Sequence, residues 1–65
     1  MELTLEQARM MLKMSRATVA KELKVNETTI YRWETGKTMP DVVQFKKLCR
    51  LYGISADDLF VCAEG

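Results

Sequence analysis

The feature that most constrains the fold is a pair of predicted helices separated by only three residues. The first is predicted over Arg16–Leu23 with Ser15 as its cap, and the second over residues 27–34 with Asn26 as its cap. Such a short connection makes two helices cross steeply, and the small side chain of Ala20 lets them come close. The sequence therefore predicts a tightly packed helix pair.

The second of these helices has two different faces. At about 100° per residue, Ile30 and Trp33 share one face, and Val25 before the cap is expected to pack on Ile30. The opposite face has no large aliphatic side chain and carries Glu27, Thr28, Tyr31 and Arg32. That composition indicates a recognition surface rather than a packing surface.

Three further helices are predicted from capping patterns. The first begins after Thr4, with Gln7 closing a capping box, and runs to about Lys13. The second begins after Asp41, with Gln44 closing another capping box, and runs from Val42 to about Tyr52. The third is short and follows Ser55, with Ile54 expected to contact Leu59. Gly36 and Gly53 are expected to end the preceding helices. Because 65 residues allow one small domain, we expect a compact, all-α five-helix domain over residues 1–65. Its helix-turn-helix spans about residues 16–34.

Helical spacing also predicts which side chains face the core. The expected inward residues are Leu5, Ala8, Leu12 and in part Met11; Val19, Ala20 and Leu23; Ile30 and Trp33; and Val42, Phe45, Cys49 and Tyr52. Met10 and Met14 are expected to fill gaps between helices, with a partner surface as the alternative. The exposed side of the fourth helix is expected to carry Lys46, Lys47 and Arg50.

Composition excludes several classes of function. The formal net charge is only +1, but residues 9–37 contain seven Lys or Arg and three acidic residues, so positive charge is concentrated on the helix pair. Two cysteines and no histidine cannot form a structural zinc site, and we expect no metal or cofactor. Cys49 is interpreted as a small buried hydrophobe, with a disulfide to Cys62 as the alternative. The sequence has no pair of carboxylates placed for catalysis and no phosphate-binding glycine loop, so we expect neither an enzyme nor a small-molecule substrate.

The residues of the helix pair and the loop after it resemble a known family. Ala20, Val25, Ile30, Trp33, Glu34, Gly36 and Pro40 match in type and spacing the lambda-repressor-like helix-turn-helix family of Cro and phage repressors. The resemblance covers residues 5–60, and its most specific segment is IYRWETGKTMP. It implies a homodimeric regulator of transcription, of repressor type and of phage or bacterial origin, that binds double-stranded DNA in the cytoplasm. No membrane segment is expected, since no apolar run is long enough to span a bilayer.

The resemblance also assigns roles to individual residues. Base reading is expected from Glu27, Thr28, Tyr31 and Arg32; contacts to DNA phosphates from Arg16, Asn26, Thr35, Lys37 and Thr38; and a structural ion pair from Arg9 and Glu34. For Arg32 the alternative is a solvated arginine paired with Glu27 or a neighbour. For Thr28 and Tyr31 it is an ordinary surface side chain, and for Glu27 it is a structural charge that suits the helix dipole in the first turn. Lys24 stands where the family has a glycine in the turn, so we expect it to adopt a positive φ at a cost of about 1 kcal/mol.

A second class of function is compatible with the same fold. The nearly neutral net charge and the apolar segment at residues 60–63 favour a protein-interaction module, such as an antitoxin-like or adaptor domain. That apolar segment is also the expected contact between two copies of the chain.

Overall fold

The computed structural model describes residues 2–61, and most of them are helical. In chain order the elements are β1 (Leu3–Thr4), α1 (Leu5–Met11), α2 (Arg16–Leu23), α3 (Glu27–Thr35), α4 (Val42–Tyr52) and β2 (Leu59–Phe60). The two helices of the predicted pair lie where the sequence places them. The prediction of five helices is wrong, because residues 2–61 contain four helices and a short two-stranded parallel sheet.

The segment predicted as the fifth helix forms a single turn followed by β2. Backbone N–H groups of Asp58 and Leu59 donate to the carbonyl of Ser55 at 3.0 and 3.1 Å, as expected for one turn after a cap. The backbone then pairs in parallel with β1, with Leu3 opposite Leu59. Leu59 is only 5% exposed, so pairing with β1 buries a large apolar side chain here without a further helical turn.

The core is formed by apolar residues of all four helices and of β2. Its buried members are Leu5, Ala8, Val19, Ala20, Leu23, Ile30, Trp33, Leu48, Tyr52 and Leu59. Half-buried side chains packed against them include Met14, Val25, Phe45 and Cys49. Cys49 is a free thiol, and burial raises its pKa. Cys62 lies outside the described residues.

The prediction for the buried face of α4 is wrong at its first turn. Val42 is 70% exposed, whereas Leu48, which we did not predict as inward, is 1% exposed. The buried stripe therefore runs through the middle and the end of the helix, from Phe45 to Tyr52. The first turn of α4 extends beyond the core, and helical periodicity alone does not reveal this.

The end of α1 also differs from the prediction. The helix stops at Met11 instead of continuing to about Lys13, and Lys13 has a φ of 55°. Because Leu12 follows the last helical residue, its side chain leaves the inward stripe and is 48% exposed. Met10 and Met11 are also exposed, so the gap-filling role predicted for Met10 and the partly inward position predicted for Met11 are wrong.

Two of the predicted helix caps differ from the others in their hydrogen bonds. The capping box of Thr4 and Gln7 is confirmed in both directions, at 2.9 and 3.1 Å. Asp41 accepts from the backbone N–H of Gln44 at 2.8 Å, but Gln44 Oε1 is buried and has no hydrogen-bond partner in the described chain, so the second box is only half formed. Asn26 occupies the cap position of α3 without a capping hydrogen bond from its side chain.

The turn between α2 and α3 has the expected left-handed conformation. Lys24 has φ 59° and ψ 43°, which confirms the prediction made from its position in the turn. The next residue, Val25, donates its backbone N–H to the carbonyl of Ala20 at 2.9 Å, a bond that satisfies the end of α2. Helix α3 therefore starts immediately and packs closely against α2.

Tyr52 predicts a specific dependence of stability on pH. Burial raises its pKa to about 12, and its hydroxyl has no hydrogen-bond partner within residues 2–61. Folding raises this pKa from its usual value of 10, so the tyrosine contributes stability that is fully present below pH 10 and is lost as the pH rises toward 12. We expect the free energy of unfolding of the parent to fall by about 1 kcal/mol more than that of Tyr52→Phe between pH 9 and pH 11. Urea denaturation of both proteins measures this difference, and parallel curves would contradict it.

Candidate nucleic-acid interface

The outward face of α3 presents four exposed side chains on one surface. Glu27 and Thr28 lie in its first turn, and Tyr31 and Arg32 one turn further along. On the opposite face Ile30 and Trp33 are buried at 1% and 6% exposure, which fixes the rotation of the helix. The four side chains are therefore held toward solvent by the packing of the other face.

Arg32 is the cation of this face that is most available to a ligand. Its side chain is exposed, and its guanidinium makes no hydrogen bond or ion pair within residues 2–61. The pairing with Glu27 that we considered as an alternative is absent from the described structure. A planar guanidinium free of internal partners can bind a guanine edge or a phosphate.

Arg16 has a different environment from that expected of a simple phosphate contact. Its Nε donates to Glu34 Oε1 at 3.0 Å, and its Nη2 lies 3.8 Å from Glu6 Oε2. The guanidinium also lies over the ring of Tyr31, 5.2 Å from the ring centroid. Together with Glu27, Thr28 and Tyr31, Arg16 lines a shallow depression of about 250 Å³.

Arg9 and Glu34 form a buried ion pair that joins α1 to α3. Arg9 Nε lies 2.7 Å from Glu34 Oε2, and their side chains are 11% and 2% exposed. Arg9 also donates from Nη1 to the carbonyl of Met14 at 2.8 Å. The hydrogen bond to Glu34 raises the pKa of Arg9 above its usual value. Glu34 thus accepts from two arginines, and its charge is matched inside the protein.

The other candidate phosphate contacts surround the two ends of α3. Asn26 is exposed at the N-terminal end, and its amide is not used as a cap. At the C-terminal end the Thr35 hydroxyl donates to the carbonyl of Tyr31 at 2.9 Å. Lys37 and Thr38 are exposed in the following loop, and both backbone N–H groups donate to the carbonyl of Arg32, at 2.9 and 3.4 Å.

This arrangement suits recognition of a polyanion. An exposed helix face with an available guanidinium is flanked at both ends by exposed polar residues, and Arg16 lies beside it. Within residues 2–61, no group of three or more His, Cys, Asp or Glu residues is close enough to hold a metal ion. None of the helices in this part of the chain is long and apolar enough to cross a membrane.

Two helices, α2 and α3, that pack against each other and are joined by a short turn define a helix-turn-helix protein. A family model described as Helix-turn-helix matches residues 5–59, so the chain belongs to this family, the lambda-repressor-like one that its residues resemble. The domain is thus of the DNA-binding type found in transcription regulators. Comparison with curated proteins and with solved structures gave no significant match.

The contacts that hold Arg16 were not predicted from the sequence. We expected it to be available to phosphate, but its guanidinium lies close to Glu34, Glu6 and the ring of Tyr31. These partners come from two other helices. No local spacing in the sequence places them together, so a single sequence gives no signal for the contact.

Proposed function

We propose that this protein is a sequence-specific regulator of transcription, of repressor type, that binds double-stranded DNA with α3 in the major groove. The observation that carries the proposal is the outward face of α3, with the available guanidinium of Arg32, in a member of the helix-turn-helix family. Glu27, Thr28 and Tyr31 would meet base edges with it. Such a regulator acts where the DNA is, so we place it in the cytoplasm, in a bacterium or a phage-infected cell.

Positive charge supports this orientation on DNA. The formal charge of the whole chain is only +1, but seven of its ten Lys and Arg residues lie within residues 9–37. Arg16, Asn26, Thr35, Lys37 and Thr38 lie on α2, at the two ends of α3 and in the following loop, where we propose that they contact the phosphate backbone. Arg16 and Thr35 already have partners inside the protein, so Asn26 and Thr38 are stronger candidates than these two.

Replacing Arg32 with alanine tests the base-reading role. If Arg32 binds a guanine through two hydrogen bonds, the affinity for the preferred site should fall by about 1 to 3 kcal/mol, and selection should relax at one base position. Binding is measured against a panel of single-base variants of a site selected from random DNA, at two salt concentrations. Stability should stay within about 0.5 kcal/mol, since the side chain is exposed.

Arg50→Ala is the matched control for this experiment. It removes the same charge from the exposed side of α4, where Arg50 neighbours Glu22 and Lys47 and not the recognition face formed by Glu27, Thr28, Tyr31 and Arg32. It should therefore leave base selection unchanged. A uniform loss of affinity for Arg32→Ala, with the salt slope smaller by about one unit, would identify a phosphate contact instead. If Arg32→Ala binds every DNA site of the panel as tightly as the parent protein does, Arg32 takes no part in recognition.

We also propose that the protein binds DNA as a homodimer. A single copy measures 27 × 27 × 21 Å, whereas successive major-groove sites on one side of the duplex lie about 34 Å apart, so one α3 reads only a few base pairs.

The contact surface between the two copies is proposed to be an apolar groove of about 360 Å³, whose lining includes Pro40, Val42, Phe45, Ala56 and Val61. Exposed Met39, Val43 and Phe60 adjoin these residues in sequence. Of the segment 60–63 that we expected at this contact, residues 62 and 63 lie outside the described chain.

Val42→Glu should convert the dimer to monomer without unfolding it. Val42 is 70% exposed and starts α4, where a negative charge suits the helix dipole. Sedimentation should shift toward monomer, and affinity should fall more for a site with two half-sites than for a single half-site. Met11→Glu is the control, since Met11 is similarly exposed at 62% but lies on α1. Identical sedimentation of Val42→Glu and the parent would place the interface elsewhere.

The apolar groove also favours one other function, a protein-interaction module such as an antitoxin-like or adaptor domain. Titration of salt against binding to random-sequence DNA distinguishes the two. A DNA-binding regulator loses affinity steeply as salt rises, because binding releases counterions from the phosphates. An adaptor would bind random-sequence DNA only weakly even at low salt, and that result would favour the protein-interaction module.

A further inference from the structure

We infer that Arg16 is a positioning residue that holds the ring of Tyr31 in one orientation on the recognition face. This inference rests on the proposed DNA-binding function and names how specificity at that face is set. Arg16 belongs to α2 and Tyr31 to α3, so the contact links the two helices on their outer side. The guanidinium lies 5.2 Å from the ring centroid, within the range of a cation–π interaction.

The guanidinium can orient the ring because it is itself held by a buried carboxylate. Glu34 Oε1 accepts from Arg16 Nε at 3.0 Å, and the Glu34 side chain is 2% exposed. Glu34 is in turn held by Arg9 at 2.7 Å, so its carboxylate has little freedom to move. The chain of contacts therefore runs from the buried pair, through Arg16, to an aromatic ring on the surface.

Tyr31 needs such support because it is 43% exposed. An exposed side chain samples several rotamers, and binding a ligand in one of them costs conformational entropy. A ring that is already oriented in the free protein avoids that cost. It also presents its edge and hydroxyl to one position of the DNA, so it contributes to sequence selection as well as to affinity.

A double-mutant cycle on DNA binding tests the inference with the full chain. Arg16→Ala and Tyr31→Ala should relax base selection at the same position of a site selected from random DNA. The loss of affinity caused by Arg16→Ala should be roughly two- to fivefold larger in the parent than in the Tyr31→Ala protein. This difference is the size expected of an exposed cation–π contact. Arg16→Lys keeps the charge but not the planar fork, so it should restore only part of the selection.

Lys21→Ala is the matched control, because it removes one positive charge from an exposed position of the same helix. It should leave base selection unchanged. If Arg16→Ala weakens binding equally in both Tyr31 backgrounds, uniformly across sites and with a salt slope smaller by about one unit, Arg16 is only a phosphate contact and the inference is wrong.

A measurement without DNA separates failure of this inference from failure of the proposed function. In NMR spectra of the free protein, Arg16→Ala should shift the ring protons of Tyr31 and leave those of buried Tyr52 unchanged. Unchanged Tyr31 signals would overturn the positioning role whatever the protein binds. If the signals shift but the parent shows no salt-dependent DNA binding, the contact stands and the proposed function is wrong.

Discussion

Replacing Glu34 with alanine is expected to lower the free energy of unfolding by about 3 to 5 kcal/mol, which is the usual cost of removing one partner from a buried ion pair. Arg9, whose side chain is 11% exposed, would keep its charge and lose its closest carboxylate, retaining the carbonyl of Met14 and the more distant carboxylate of Glu6 at 3.9 Å. The remaining charge is difficult to hydrate. For a domain of this size, such a loss is a large part of the total stability. Urea denaturation at pH 7 gives the value directly.

Two variants serve as controls for Glu34→Ala. Glu22→Ala removes an exposed acidic residue from α2 and should change stability by less than about 0.5 kcal/mol. The double variant Arg9→Met with Glu34→Leu replaces both charges by apolar groups, so it should be less destabilising than Glu34→Ala alone. If Glu34→Ala costs less than about 1 kcal/mol, water reaches Arg9 and the pair is not buried in solution.

Leu48→Ala should be the most damaging truncation on α4, with an expected loss of about 2 to 5 kcal/mol. Leu48 is 1% exposed and is one of the largest fully buried side chains of the described chain. Its truncation leaves a cavity in the middle of the core, where the neighbouring helices cannot collapse without moving other contacts. The measurement is again urea denaturation, with an unchanged m-value as the sign of an intact fold.

Val42→Ala is the matched comparison on the same helix. Val42 is 70% exposed, and alanine favours helix more than valine does, so the change should lie within about 0.5 kcal/mol. This pair of variants decides between the periodicity of the sequence, which places Val42 inward, and the structure, which places Leu48 there. A larger loss for Val42→Ala than for Leu48→Ala would mean that α4 is rotated from its described position.

Local signals explain why so much of the helix pair could be predicted. The cap of α2, the start of α3, the left-handed turn at Lys24 and the buried face of Ile30 and Trp33 depend on residues at most a few positions apart. Capping and helical periodicity operate over those distances. The exposed face of α3 follows from the buried one, which is why its four residues could be named from the sequence alone.

The errors occur where distant parts of the chain decide the outcome. Leu12 and Val42 lie at helix ends, and whether an end is buried depends on what packs there. The cap at Ser55 forms its turn, but pairing of Leu59 with β1 stops the helix. The partners of Arg16 come from α1 and α3. None of these long-range contacts follows from local spacing.

The parallel pairing of β1 with β2 affects the rates of folding and unfolding differently. The most extensive packing joins α2 and α3, which are adjacent in sequence, but this pairing joins the two ends of the described chain and requires closure of nearly all of it. Closing such a long loop is entropically costly before other contacts hold it, so we expect the strands to pair after the folding transition state. Interactions that form that late slow unfolding and hardly change the folding rate. The lifetime of the folded protein is therefore set in part by two strands of two residues each.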